Sequence, residues 1–355
     1  MNKADFPALT GIRAIAAYMV FLHHFNPFNA AFFGETLHGF FAEFHVGVTI
    51  FFVLSGFLIA NRYFEVQDFS FKSYFIKRFA RIYPMYFILT TGTFLFWAIF
   101  NNQANLENLT TYFFNITFLK GFSNDLKFSG IAQGWSLTVE EVFYFLAPIF
   151  FLLLKRSKLF LFFLPFFLLS FGIILVSVFS HFNASGFMNS IDFMLDFTFF
   201  GRVTEFFIGI GLALFIKNRP TLLNLKNVTF FGYISIIGCI YWLSILDTPN
   251  GFGTDCFLGK TINTLILPLF GIAPLFLGLI TEKTILSRFL SNKPMLLLGK
   301  SSYIFYLIHM GIFVLILNKI FENQIFTFVF LNVISVVLYL FLEKPLNSWI
   351  RKQIN

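Results

Sequence analysis

Long apolar stretches with almost no charge constrain this chain more than any other feature. The run from Phe160 to Phe167 is the extreme case, and sixty of the 355 residues are Phe. Such stretches read as helices in lipid, since half-buried strands would alternate with polar residues. Hydrophobic residues make up 57% of the chain and charged residues 12%, about half the ~25% usual in soluble domains. Ten spans of roughly 17–22 residues can be drawn, near the ~20 that cross the hydrocarbon core. They cover 8–26, 44–61, 84–101, 137–154, 159–180, 200–216, 228–246, 261–280, 301–318 and 325–342. Segment 106–121 is an eleventh candidate, as a shallow or re-entrant helix. The expected fold class is all-α: one polytopic membrane bundle over 1–355.

The basic residues alternate between connections. One set holds Lys3, Arg62, Lys72, Lys77, Arg78, Arg81, Lys155, Arg156, Lys158, Lys217, Arg219, Lys226, Lys283, Arg288, Lys293, Lys300, Lys344, Arg351 and Lys352. The other holds only Lys120, Lys127, Arg202, Lys260 and Lys319. The positive-inside rule then puts both termini in the cytoplasm. The net charge of +8 is explained by that face and calls for no nucleic-acid partner. Cys239 in a span and Cys256 in an outer loop suggest neither a disulfide framework nor a metal site. The first apolar segment contains Arg13, His23 and His24, which does not suit a cleavable signal peptide and reads as a retained span.

An ionisable residue inside a span is costly and marks a functional site by default. Here these are Arg13, His23, His24, Glu140, Glu141, Glu205 and His309, with Arg202 at an edge. The plainer reading is that such groups pair with one another and fix helix packing. At 100° per residue, the eleven steps from Arg13 to His24 return to the same face about 16 Å along, while His23 points roughly 80° away. His24, Glu140 and Glu205 all fall in the outer halves of their spans. A His oriented by a carboxylate suits a general base toward a hydroxyl. No G-x-S-x-G elbow supports a Ser nucleophile. Arg78 and Arg81 are neighbours on a helix face, and guanidinium forks suit phosphate. Pro84 is expected to open the helix that follows them.

These segments resemble the acyltransferase-3 family of membrane O-acyltransferases, which modify bacterial surface glycans. The first span, Leu9-Thr-Gly-Ile-Arg-Ala-Ile-Ala-Ala-Tyr-Met-Val-Phe-Leu-His-His24, is similar to the family opening, with its Arg-x10-His spacing on Arg13 and His24. Gly47 to Ile59 resembles the Ser-Gly-Phe span and places Ser55 and Gly56. Arg78-Phe-Ala-Arg-Ile-Tyr-Pro84 matches the Arg-x-x-Arg-Ile-Tyr-Pro stretch. Trp135-Ser-Leu-Thr-Val-Glu-Glu-Val-Phe-Tyr144 is similar to the most distinctive family segment and selects Trp135, Ser136, Glu140 and Tyr144. Arg202-Val-Thr-Glu205 matches an Arg-x-x-Glu-Phe element. Leu298 to His309 matches a late Ser-Tyr…Tyr-Leu-x-His element and places Tyr303 and His309. Glu343-Lys-Pro345 closes the series.

The resemblance implies an acyl-CoA donor, most often acetyl-CoA, as co-substrate, with no tightly bound cofactor and no metal. It implies a carbohydrate acceptor such as lipopolysaccharide O-antigen or another exported glycan, and a place in the bacterial cytoplasmic (inner) membrane. His24 and Glu140 are the expected catalytic residues. Arg13, Arg78 and Arg81 are the expected donor-binding residues. Ser55, Trp135, Ser136, Tyr144, Arg202, Glu205, Tyr303 and His309 are expected to bind substrate or support the site. Some family members carry a fused periplasmic hydrolase-like domain; this chain is expected to act alone or with a separate partner. A glycan transporter or flippase is the alternative from another class, and a scaffolding subunit a third. Neither explains the Trp-Ser-x-x-x-Glu segment as well.

Overall fold

The computed structural model describes residues 6–101, 106–182, 185–218, 226–248, 251–321 and 323–353. Of the basic residues counted above, Lys3 and Arg219 lie outside the described residues. Among the described residues helices dominate, no β-strand forms, and Ser123 and Phe187 make an isolated bridge.

Among the described residues, seven helices are long and apolar enough to cross a membrane: Glu35–Tyr63, Phe71–Phe100, Ala132–Arg156, Phe160–Phe179, Ile191–Asn218, Phe257–Thr281 and Gln324–Lys352. An eighth counts if Lys293–Ile308 and Ile312–Ile320, bent by 92°, form one broken span. The other two expected spans are also helical. Pro7–His24 is weakened as an apolar segment by Arg13, His23 and His24, and Val228–Ser244 is only 17 residues long. The apolar surface agrees with a lipid surround. Phe162, Phe163, Phe166 and Phe167 of the Phe-rich run are 74%, 61%, 71% and 63% exposed.

Two local expectations are corrected, and the open one at 106–121 takes a form. Pro84 does not open a helix; it lies inside a continuous helix from Phe71 to Asn101. That helix is about 46 Å long at 1.5 Å per residue, more than the ~30 Å of hydrocarbon, so Arg78 and Arg81 ride on the span's own extension. Membrane helices tolerate such a proline because local adjustments re-satisfy the freed carbonyl. The expected span 301–318 is not straight. It breaks at His309 to Gly311, where Gly311 adopts φ +78°, a conformation that suits glycine. Segment 106–121 is a helix only over Leu106–Ile116, about 16 Å long and too short to span.

The chain divides into two compact units, Met1–Val66 with Thr204–Tyr303, and Gln67–Val203 with Ile304–Asn355. In the first, α1 (Pro7–His24) packs on α2 (Gly47–Tyr63). A later helix, α5 (Phe199–Asn218), meets α2 at backbone contact through two glycines. A Cβ on Gly56 would lie 2.1 Å from the Phe206 carbonyl oxygen, and one on Gly209 would lie 2.1 Å from that of Val53. Small residues let membrane helices approach where lipid supplies no hydrophobic drive. Phe52 stacks on Phe206 at 4.9 Å beside this crossing, and Thr49 donates a 2.7 Å hydrogen bond to Asn263 on the Phe257–Thr281 span.

In the second unit, α3 (Phe71–Asn101) is joined to the Gln324–Lys352 helix by the Arg81–Glu343 ion pair at 2.9 Å. It also packs on Leu106–Ile116, where the Thr91 and Tyr112 hydroxyls bond at 2.9 Å. The remaining elements are α4 (Trp135–Arg156) and α6 (Lys293–Ile308), the latter continuing from the first unit.

The glycine crossing makes a prediction. Gly56→Ala places a methyl against backbone that cannot rotate away, so it should destabilise the folded chain by about 1–3 kcal/mol. Gly92→Ala, where nothing lies within 4 Å, is the control and should be neutral. Thermal unfolding of both variants in detergent reads the difference; equal stabilities would mean that the crossing gives way.

Candidate active site

The first unit carries Arg13, His24, Ser55, Glu205 and Tyr303. Arg13 is half-buried in the middle of α1, and His24 is its exposed last residue. His23 differs from His24 in its surroundings. Its Nδ1 lies 2.5 Å from the Ala42 carbonyl oxygen, which can only accept, so Nδ1 carries the hydrogen. Its ring packs edge-on to that of His24 at 4.7 Å. The two adjacent histidines thus divide into a braced one and an exposed one. Ser55 is half-buried in α2, Glu205 is fully buried in α5, and Tyr303 is buried in α6.

The second unit carries the other expected residues. Glu140 and Tyr144 are one turn apart on α4, and the Tyr144 hydroxyl donates to the Glu140 carboxylate. Arg78 of α3 lies over the Tyr144 ring, its guanidinium carbon 5.6 Å from the centroid. Tyr74, one turn earlier on α3, donates to the Tyr144 backbone carbonyl at 2.9 Å. Glu140, Tyr144 and Arg78 therefore form one connected group, which joins Arg78 to two residues that the sequence placed together on one segment. Arg81 has a different setting, because its Nη1 is engaged by the nearly inaccessible Glu343. Glu343 belongs to the closing Glu-Lys-Pro element, so that element is tied to the Arg-x-x-Arg stretch by charge.

The Trp-Ser segment is held by the broken span. The last four carbonyls of a helix have no partner within it. At the break after α6, Gln133 Nε2 donates to the Tyr306 and Leu307 carbonyls at 2.8 and 2.7 Å. His309 Nδ1, also donating, meets the Tyr306 carbonyl at 2.7 Å. The Ser136 and Tyr306 hydroxyls bond at 2.8 Å, and each can reach the Gln133 carbonyl, at 3.0 and 3.3 Å. His309 is fully buried and caps the break. Trp135 packs edge-on to Phe197 at 5.0 Å, and Arg202 is buried with Nη1 3.4 Å from the Asp196 carbonyl.

Gln133 of this network had no place in the sequence reading, and only its polar character just before an apolar span hinted at it; Tyr306 was part of the late Tyr-Leu-x-His element but was given no role of its own. Lys120, read as an outer-loop cation, is fully buried, and its Nζ donates to the Ser129 and Ile131 carbonyls at 2.7 and 2.6 Å. Burial pushes its ammonium down to about 7. It secures the loop that leads into Trp135. Among the described residues no group of three or more His, Cys, Asp or Glu side chains could hold a metal ion.

Comparison with known proteins agrees with this arrangement of motifs. A family profile described as an acyltransferase domain matches residues 6–343. O-acetyltransferase OatA of Staphylococcus aureus strain NCTC 8325 is 24% identical over 370 residues, covering 96% of this chain and 57% of that protein. A Bacillus subtilis protein, YrhL, named as a candidate peptidoglycan O-acetyltransferase, is 25% identical, covering 96% of this chain and 55% of that one. A candidate O-acetyltransferase of S. aureus strain COL is 26% identical, with 96% and 57% covered. The chain thus spans little more than half the length of these curated relatives. No solved structure matches it. With the family profile running through every motif from Arg13 to Glu343, and with several helices apolar enough to cross a membrane, the chain belongs to the acyltransferase-3 family of multi-pass membrane proteins.

Proposed function

We propose that the chain is an O-acyltransferase that moves an acyl group, most simply acetyl, from cytoplasmic acyl-CoA to a hydroxyl of an exported glycan. The family match over residues 6–343 carries this reading. The acceptor is a surface carbohydrate, lipopolysaccharide O-antigen or peptidoglycan, the second being the glycan in the name of the B. subtilis relative. Ten spans with both termini in the cytoplasm of a bacterial inner membrane fit the alternating basic connections.

The chemistry follows from the named side chains. A neutral His24 takes the proton of the acceptor hydroxyl as its oxygen attacks the thioester carbonyl. The C–S bond breaks, the protonated His24 gives up that proton to make good the one taken by the departing CoA thiolate, directly or through water, and the acyl ester of the sugar is released. Arg78 and Arg13 offer guanidinium donors to the CoA phosphates, and Arg81 adds the N–H groups that Glu343 leaves over. Glu140, through the Tyr144 hydroxyl beneath Arg78, keeps that guanidinium in place. The direct test is mass spectrometry of cell-surface glycans with and without the protein. A mass difference of one acyl group is expected; glycan moved across a membrane without acyl-CoA turnover would favour the transporter reading.

Three further outcomes are expected. In a chain freed of Cys239 and Cys256, a cysteine at Ser190 should label from outside and one at Ser157 only from the cytoplasm; the reverse pattern would overturn the orientation. General-base catalysis is worth about 10²–10⁴-fold, so His24→Ala should lose about that much transfer at matched membrane expression, and His23→Ala much less. Equal losses, or none in His24→Ala, would sink the assignment. Losing one charge-assisted contact costs about 1.5–3 kcal/mol, so Arg78→Ala should weaken acyl-CoA binding at least about tenfold. Unchanged affinity in the folded variant would return Arg78 to ordinary cytoplasmic-face charge.

A further inference from the structure

A second carboxylate–histidine pair lies beside the end of α1, in the same unit as His24. Glu43 and His45 sit on a single tight turn, Glu43–Val46, that leads into α2. Glu43 is wholly inaccessible. One of its carboxylate oxygens accepts the backbone N–H of Gly253 at 2.6 Å. The other lies 3.0 Å from His45 Nε2. The Thr254 hydroxyl is 3.5 Å from the same nitrogen.

The Gly253 donor is built in. A Cβ there would lie 2.4 Å from the Leu243 carbonyl oxygen, so only glycine brings this backbone close enough. A buried carboxylate without donors is expensive; one that accepts on both oxygens is held firmly. His45 is accordingly fixed through Nε2, while 22% of its side chain stays accessible.

The pair continues as a row of rings. His45 packs edge-on to His23 at 5.3 Å, and His23 packs edge-on to His24 at 4.7 Å. Phe252, next to Gly253, closes the other side of His23 at 5.6 Å. His23 is pinned by its bond to the Ala42 carbonyl. The row therefore runs from an anchored carboxylate, through two immobilised imidazoles, to the exposed ring of His24. General-base catalysis depends on the angle at which the base meets the hydroxyl.

We propose that Glu43 and His45 are positioning residues for His24, orienting its ring through His23. The proposal rests on the reading of His24 as general base. Glu43 acts here by the hydrogen bonds it accepts, not by its charge.

The test is a double-mutant cycle on the full chain in membranes with its native glycan acceptor, with acetyl-CoA varied. A misplaced catalytic group loses on the order of 10–100-fold, so His45→Ala should lower kcat by about that much and leave the KM for acetyl-CoA within about twofold. His45→Phe keeps a ring against His23 but gives up the bond to the buried Glu43, and should recover only part of the loss. Glu43→Gln still offers an oxygen to Gly253 and a polar partner to His45, and should stay within about threefold. Residues that act through one another are not additive, so in the His24→Ala background His45→Ala should cost less than about twofold more. Multiplicative losses, or a Glu43→Gln loss as deep as that of His45→Ala, would overturn the proposal and leave His24 as base. Full activity in His24→Ala alone would overturn the base assignment, and the positioning role with it.

Discussion

A polar group inside hydrocarbon has no water to fall back on, and the organisation within each unit follows from that. Where α6 breaks, two carbonyls would face an apolar medium. Gln133 and His309 supply the missing donors, which brings the Trp135 to Tyr144 segment into a fixed relation with the break. Arg81 on the long α3 helix is matched by the buried Glu343. Glu140 receives a hydroxyl from its own helix one turn on. The residues that mark the family are in large part those that satisfy one another's hydrogen-bonding demands. An unpartnered member would cost more here than at a protein surface.

Packing answers to the same medium. Lipid tails attract a helix as well as another helix does, so close contact must come from shape and hydrogen bonds. Gly56 and Gly209 let α2 and α5 touch backbone to backbone, reciprocally, each opposite a carbonyl of the other helix. That contact explains the glycine of the Ser-Gly-Phe span without a catalytic role. It also carries Ser55 and Glu205 on the two helices whose relation it fixes.

The apolar pattern made the fold class and the approximate position of every long helix legible, because a residue count and the hydrocarbon thickness are enough for that. Details that depend on a partner distant in sequence were not legible. Pro84 is an acceptable first helical residue in isolation, and only the continuous α3 helix shows it as an interior one. The break at His309 to Gly311 leaves almost no trace in hydropathy, since the residues on both sides are equally apolar. Glu140, Tyr144 and Arg78 could each be picked out by chemistry or resemblance, but their union requires two helices to be packed. Gln133 and Lys120 were missed, and Tyr306 was seen only as part of a motif, because their importance lies in the carbonyls and hydroxyls they meet, and no side-chain pattern records those. Glu43 and His45 had a weak signal, two ionisable groups two residues apart at the mouth of a span, which ordinary boundary polarity masks.

The proposed division of labour between His23 and His24 rests on position, since the two groups are chemically identical. A general base needs a lone pair toward the acceptor and freedom from competing donors and acceptors. His23 has its Nδ1 proton committed to the Ala42 carbonyl and its ring enclosed by His45, Phe252 and His24. One helical step moves the next imidazole about 100° round the axis, out of that enclosure and into the exposed position at the end of α1. On the proposed reading the enclosure suits His23 as a brace, and the same step suits His24 for a large, hydrated acceptor. A base buried at mid-span would require a sugar to shed its water before reacting. A base at the helix end would let the sugar keep much of it. Its ring is then more open to solvent, and on the positioning proposal the adjacent row of fixed rings sets its angle.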